Sequence, residues 1–300
     1  MPARPAHVWV NGRLQPADAD HLSVFDRGFQ LGDGVFETLR ARGGRPAELP
    51  EHLDRLRRSA AGLSILLPDD LEARLSAAIG ELLMTDELAG PEGDASIRIT
   101  ASRGAYRGRG LLPPDEHVPA TLAVQAWPVA PPPAGHLERG LALIASAVRR
   151  DPESPLAALK TTSRADYVYA RLEARRARAD DALFLTIDGF LSEATSANVF
   201  LVRAGDRGPE IATPAIECAI LPGTTRSWIL AWAARAGLER AEGWLTTADL
   251  LSAQEAFLSS SVAGVLPVTS FDRAPIGDGR PGPWTRRVRE AREAFLRDGP

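Results

Sequence analysis

The stretch Leu156-Ala157-Ala158-Leu159-Lys160-Thr161-Thr162-Ser163 contains the only lysine of the chain. Among 300 residues, 35 are lysine or arginine, and the other 34 of these are arginine. An arginine guanidinium keeps its proton, whereas a lysine amine sheds it when desolvated or set near positive charge, and only then acts as a nucleophile or base. An apolar run before Lys160 and a hydroxyl run after it are unusual surroundings for an idle surface charge. The stretch points to amine chemistry.

The rest of the composition narrows what that chemistry can be. A hydrophobic content of 44% with 25% charged residues suits a folded chain with a sizeable core, as one large domain or two smaller ones. The net charge of −4 leaves no basic footprint for nucleic acid. No apolar run approaches the ~18 residues of a membrane span, and Met1 to Asn11 lacks a basic region followed by an apolar core, so a cytoplasmic protein with no membrane partner is expected. Cys218 is the single cysteine, and His7, His21, His52, His117 and His136 show no ligand spacing, so no metal site is expected.

Working outward, the proline-rich segment Trp127 to Gly135 separates an N-terminal part, residues 1–126, from a larger C-terminal part, 136–300, with 127–135 as the linker. Asn11-Gly12 between Val8–Val10 and Arg13–Gln15 predicts a hairpin. Leu53, Leu56, Ala60 and Leu63 recur at helical spacing, as do apolar residues over 71–83, whereas 95–101 and 120–126 read as strands. In the second part, 141–148 reads as a strand and 165–179 as a helix. Residues 182–187, the turn Asp188-Gly189 and a return through Leu191 and Glu193 read as a hairpin. Strands follow at 198–203 and 256–262, with a helix over 227–236 after Leu221-Pro222-Gly223-Thr224-Thr225-Arg226. The fold class is α/β in the α+β sense. Gly32-Asp33-Gly34 lacks the third glycine and the context of a dinucleotide fingerprint.

An amine nucleophile paired with an aldehyde cofactor such as pyridoxal 5'-phosphate (PLP) needs phosphate donors, a partner for the ring nitrogen and a grip on the substrate carboxylate. Thr224 and Thr225 sit where a glycine turn leads into a helix, a place for an anion. Ser259, Ser260 and Ser261 close a strand with further hydroxyls, and Arg55 could add charge from the polar side of its helix. Glu193 can pair with a pyridinium nitrogen and keep the ring an electron sink.

Taken in order, Asp26-Arg27-Gly28-Phe29-Gln30-Leu31-Gly32-Asp33-Gly34-Val35-Phe36-Glu37-Thr38, Glu51-His52-Leu53-Asp54-Arg55-Leu56, Leu159-Lys160-Thr161, Ser192-Glu193-Ala194-Thr195-Ser196-Ala197-Asn198-Val199-Phe200 and Leu221-Pro222-Gly223-Thr224-Thr225-Arg226 resemble the class-IV, fold-type IV PLP enzymes. That family includes branched-chain and D-amino acid aminotransferases, R-selective amine transaminases and aminodeoxychorismate lyases. The resemblance implies a two-domain fold with the cofactor between the domains, and a homodimer that lends a loop to each neighbouring site. It implies Lys160 as the Schiff-base lysine and proton shuttle, and Glu193 as the pyridinium partner. Arg55, Thr224, Thr225 and Ser261, with the Val262 backbone, would form the phosphate cup, and Leu221 would pack on the ring.

The member is read from Ile97 to Gly110. Arg98 and Arg109 are the candidates for the substrate carboxylate, because a guanidinium fork matches it in two places. By resemblance to D-amino acid aminotransferases, Arg109 stands for the arginine of their carboxylate trap, but Phe36 replaces its tyrosine and Leu111 its histidine. Phe36 also occurs in branched-chain enzymes, whose tyrosine five residues after the lysine is Ala165 here. Ser102-Arg103-Gly104 to Arg109-Gly110 looks like the lyases, and Gly282-Pro283-Trp284-Thr285-Arg286-Arg287 leans towards D-amino acid aminotransferases. The expectation is transamination from D-amino acids to 2-oxoglutarate or pyruvate through an atypical carboxylate trap. The alternatives are 4-amino-4-deoxychorismate lyase and branched-chain L-amino acid aminotransferase.

Overall fold

The computed structural model describes residues 5–114, 117–130, 132–133 and 135–299. Residues 131 and 134 of the proline-rich connector lie outside them. Residues up to Ala130, joined by the distant segment Leu159–Arg164, form one compact unit, and the remaining residues to Asp298 form a second. The segment carrying Lys160 thus belongs to the first unit, although the sequence places it well beyond the connector.

In the first unit, six strands run β1 (His7–Val10), β2 (Arg13–Pro16), β3 (Gly34–Arg42), β4 (Arg45–Pro46), β5 (Asp94–Ser102) and β6 (Thr121–Pro128). They form one antiparallel sheet in the order β2-β1-β6-β5-β3-β4. Asn11 and Gly12 both have positive φ, 48° and 90°, the geometry that suits the right-handed twist of the β1–β2 hairpin. Helices α1 (Arg27–Leu31), α2 (Leu49–Gly62) and α3 (Leu71–Thr85) complete the unit. Strand alternation sends Val35, Leu39, Ile97, Ile99 and Val124 to the face where Leu53, Leu56, Leu75 and Ile79 of α2 and α3 pack. The helix expected over 51–63 begins two residues earlier, at Leu49, where Pro50 sits in its first turn.

The second unit holds β7 (Leu141–Arg150), β8 (Asp181–Thr186), β9 (Leu191–Ala194), β10 (Asn198–Ala204), β11 (Pro209–Pro214), β12 (Glu239–Gly243), β13 (Glu255–Ser260), β14 (Gly264–Phe271) and β15 (Ala274–Pro275). Its helices are α4 (His136–Arg139), α5 (Ala165–Ala177), α6 (Thr224–Arg235), α7 (Thr247–Ser252) and α8 (Pro283–Asp298). The sheet follows β12-β11-β10-β13-β14-β7-β8-β9, and β9 pairs back to β10 through Asn198 opposite Glu193. Six strands therefore close on themselves, and Glu193 sits at the closing pair. Every residue of β8 and β9 is buried. Helix α6 starts at Thr224, three residues before the expected Ser227, so both threonines lie inside its first turn. Among the described residues, no helix is long and apolar enough to cross a membrane.

Candidate active site

The predicted site residues fall into two groups, one in each unit. In the first, Lys160 is fixed by its backbone. Its N–H donates to Ser59 Oγ at 3.1 Å and its carbonyl accepts from the Phe36 N–H at 2.9 Å. The Thr162 N–H donates to the Gly34 carbonyl at 2.8 Å, and Val35 forms a bridge with Thr161. The segment therefore adds a short antiparallel stretch to β3, and little freedom is left at the lysine Cα. Gly34 permits this approach, since a Cβ there would meet the Ala101 carbonyl at 3.0 Å and Thr162 Oγ1 at 3.1 Å.

Lys160 Nζ lies 4.6 Å from the centre of the Phe36 ring. Arg98 Cζ sits over the same ring at 3.9 Å and Arg164 Cζ at 5.7 Å. Phe36 opposes Thr100 and Arg98 opposes Thr38 across β3 and β5, so both side chains occupy the sheet face turned away from α2 and α3. The ring's negative face favours cationic groups beside it. Burial, and then the Arg164 charge, hold the Arg98 guanidinium below its ordinary value. A carboxylate arriving here would meet two guanidinium forks beside an amine. Arg164 had no signal in the sequence beyond its distance of four residues from Lys160.

Arg55 does not lie on the polar side of its helix, where its spacing would place it. It is buried, and its Nε and Nη2 donate to both oxygens of Glu37 at 2.8 and 2.7 Å. His52 Nδ1 lies 2.7 Å from Glu37 Oε2. Strand parity explains the arrangement: Glu37 shares the helix-facing side of β3 with Val35 and Leu39. Burial by itself raises the Glu37 carboxyl, but the Arg55 and His52 hydrogen bonds and then the Arg55 charge bring it down to about 2. Ser59, which anchors Lys160, lies one helical turn after Arg55 on the same buried face of α2.

Arg109 is exposed, in the loop that follows β5. That loop is anchored by Arg27, which donates to the Gly110 and Leu111 carbonyls at 3.2 and 2.8 Å and to Asp33 at 2.8 Å. Arg103 adds two donors to Asp33 and two to the Leu63 and Ser64 carbonyls. Burial raises the Asp33 carboxyl, yet the Arg103 and Arg27 bonds hold it below the usual carboxylate range.

In the second unit, Glu193 is 5% exposed. One oxygen accepts from the Leu221 N–H at 3.0 Å and the other from the Tyr167 hydroxyl at 3.2 Å. Asn198 Nδ2 donates to the Leu221 carbonyl at 3.0 Å, tying the turn before α6 to the closing pair of the sheet. Gly223 caps α6, and a Cβ there would lie 2.1 Å from Asn198 Oδ1, so a larger residue would displace that side chain. Thr224 and Thr225 are buried in the first helical turn, and Thr224 Oγ1 lies 3.3 Å from Ser261 Oγ. Ser261 and Val262 occupy the turn between β13 and β14. Ser259 Oγ, opposite Asn198, is buried with no hydrogen-bond partner. Hydroxyls, a helix start and an orphaned polar atom fit an anionic group. A buried carboxylate that, among the described residues, is held by neutral donors fits a cationic ring nitrogen. Arg292 of α8, which sequence reading missed, is 1% exposed and reaches Thr225 Oγ1 at 3.4 Å.

Residues 34–271 match the family described as amino-transferase class IV. The chain is 34% identical to a putative branched-chain-amino-acid aminotransferase of Methanocaldococcus jannaschii, over 94% of each chain. It is 32% identical to a D-alanine aminotransferase of Bacillus licheniformis, over 95% of each. The crystal structure of the Escherichia coli branched-chain amino acid aminotransferase superposes with a TM-score of 0.89, at 27% identity, covering 98% of this chain and 95% of that one.

Proposed function

Because the chain belongs to the class IV aminotransferases, enzymes that work with PLP, we propose that it moves the amino group of a D-amino acid to 2-oxoglutarate or pyruvate with Lys160 as the catalytic amine. The observation that carries this reading is the placing of Lys160 and Arg98 over one ring, Phe36, with Arg164 beside them. It supplies an amine and a carboxylate grip where the usual tyrosine is absent.

When bound, PLP supplies an aldehyde for the amine and an electron sink for the charge left at the substrate Cα. Lys160 Nζ takes the Cα proton, and its anchored backbone keeps the amine in reach through repeated transfers. Arg98 orients the substrate through its carboxylate, with Arg109 as the second candidate from the loop after β5. The Glu193 carboxylate accepts the ring-nitrogen N–H and so keeps that nitrogen protonated. Thr224, Thr225, Ser261 and the Val262 backbone take the phosphate, Arg55 adds positive charge to it, and Leu221 packs on the ring.

We further read the enzyme as a homodimer. Leu22, Phe25 and Phe29 are exposed around α1, and Leu111 and Leu112 stand 82% and 85% exposed on the loop that Arg27 ties to that helix. An apolar surface of this kind suits a second copy.

The substrate is tested by adding D-alanine, D-glutamate or L-leucine to the PLP-loaded enzyme and following conversion of the cofactor to its amine form. Conversion by the D-amino acids supports the proposal, and conversion by L-leucine alone overturns it. The second reading, a branched-chain aminotransferase, is favoured by the match to the E. coli structure and predicts that latter result. Release of pyruvate and an aromatic amine from aminodeoxychorismate would identify a lyase.

A further inference from the structure

Tyr167 has no assigned role, yet its hydroxyl meets one oxygen of Glu193 at 3.2 Å. It lies in the first turn of α5, seven residues after Lys160, and is 9% exposed. Its ring packs edge-on against Phe184 at 5.2 Å, within a small cluster with Ala170, Ala174 and Ala182. A buried phenol needs some acceptor for its proton, so packing by itself would be satisfied by any nearby carbonyl. Here the acceptor is the carboxylate that closes the second unit's sheet.

Two further contacts give that bond a direction. Arg150 Cζ lies 5.1 Å from the Tyr167 ring centre, and Arg150 Nη1 is held by Asp166 Oδ2 at 3.1 Å. A cation over a phenol ring draws electron density away from the phenol oxygen and so makes its O–H a stronger donor. The other Glu193 oxygen is fixed by the Leu221 N–H at 3.0 Å. With one donor on each oxygen, the plane of the carboxylate is set, and each oxygen keeps a lone pair for another donor.

We propose that Tyr167 is a positioning residue that fixes the Glu193 carboxylate for a protonated pyridine nitrogen, with Arg150 strengthening its hydroxyl as a donor. The inference rests on the reading of Glu193 given above. A hydrogen bond to a charged group contributes enough that its loss weakens ligand binding by about tenfold. Tyr167→Phe removes only the hydroxyl and keeps the ring between Phe184 and Arg150, so the core is preserved.

The test compares two ligands on the cofactor-free full-length chain: PLP, and its 1-deaza analogue, in which carbon replaces the ring nitrogen. In Tyr167→Phe, PLP affinity should fall about tenfold, whereas affinity for the deaza analogue should stay within a factor of two of wild type. The melting temperature of the cofactor-free protein should fall by only a few degrees, the loss of one buried hydrogen bond. An unchanged PLP affinity would overturn the proposal, as would an equal loss for both ligands, which marks a packing role. If the wild type binds both ligands equally well, Glu193 does not serve the ring nitrogen, and the underlying reading fails together with the inference.

Discussion

Two buried glutamates, each on a strand, are treated in opposite ways by their surroundings. Glu37 in the first unit is met by charge, with the Arg55 fork on both oxygens and His52 on one of them. Glu193 in the second unit is met, among the described residues, by neutral donors, one phenol and one backbone N–H. A carboxylate whose charge is matched inside the fold is a structural element, whereas one met by neutral donors has no buried cation to answer it among the described residues. The same residue type is thus charge-paired in one unit and left to neutral donors in the other.

The largest effect expected from this contrast is at Glu37. Glu37→Gln leaves the buried Arg55 charge without its carboxylate and should destabilise the protein by about 3–5 kcal/mol, read as a lowered urea midpoint. A shift below about 1 kcal/mol would mean that Arg55 is stabilised from elsewhere.

The acid limb of the stability curve follows from the same pair. The Glu37 carboxyl lies at about 2 in the folded chain against its ordinary 4.5, so the unfolded chain binds the proton more readily. Its contribution is fully present above pH 4.5 and is lost as the pH falls towards about 2, on the order of 3 kcal/mol in all. In Glu37→Gln the slope of stability against pH across this window should be shallower. An unaltered slope would contradict the assignment.

Replacing Arg98 or Arg109 by Gln, one at a time, should raise the substrate KM about tenfold or more for whichever arginine takes the carboxylate, with PLP affinity unchanged. Equal KM values in both variants would remove both from that role. The smallest effect is expected from Glu193→Gln without cofactor. With only neutral donors to disturb, it should cost about 1 kcal/mol, in contrast to the same change at Glu37.

Much of the fold was legible because local signals carried it. Asn11-Gly12 and Asp188-Gly189 marked their hairpins, and the apolar spacing of α2 and α3 marked those helices. Strand β3 was legible only as a family motif, since Phe36, Glu37, Arg40 and Arg42 interrupt the apolar alternation with side chains whose partners lie elsewhere in the fold. Helix α8 was missed because its face is built on Thr285, Val288, Arg292 and Leu296, and a buried arginine hides the apolar period.

At the site, the residue types were readable and their surroundings were not. Arg55 reads as solvated until Glu37, eighteen residues away, is folded against it. Tyr167 and Arg164 gave no sign, because their partners Glu193 and Phe36 are set by strand pairing rather than by spacing. The return of Leu159–Arg164 to the first unit is likewise a matter of hydrogen bonds to Gly34, Phe36 and Ser59, which no local pattern announces.

That Lys160 carries the cofactor is tested most directly by the absorbance of the purified full-length protein with added PLP. Wild type should be yellow with a band at about 400 nm that Lys160→Ala lacks. A colourless wild type that PLP cannot restore, or a Lys160→Ala variant that keeps the band, would contradict it.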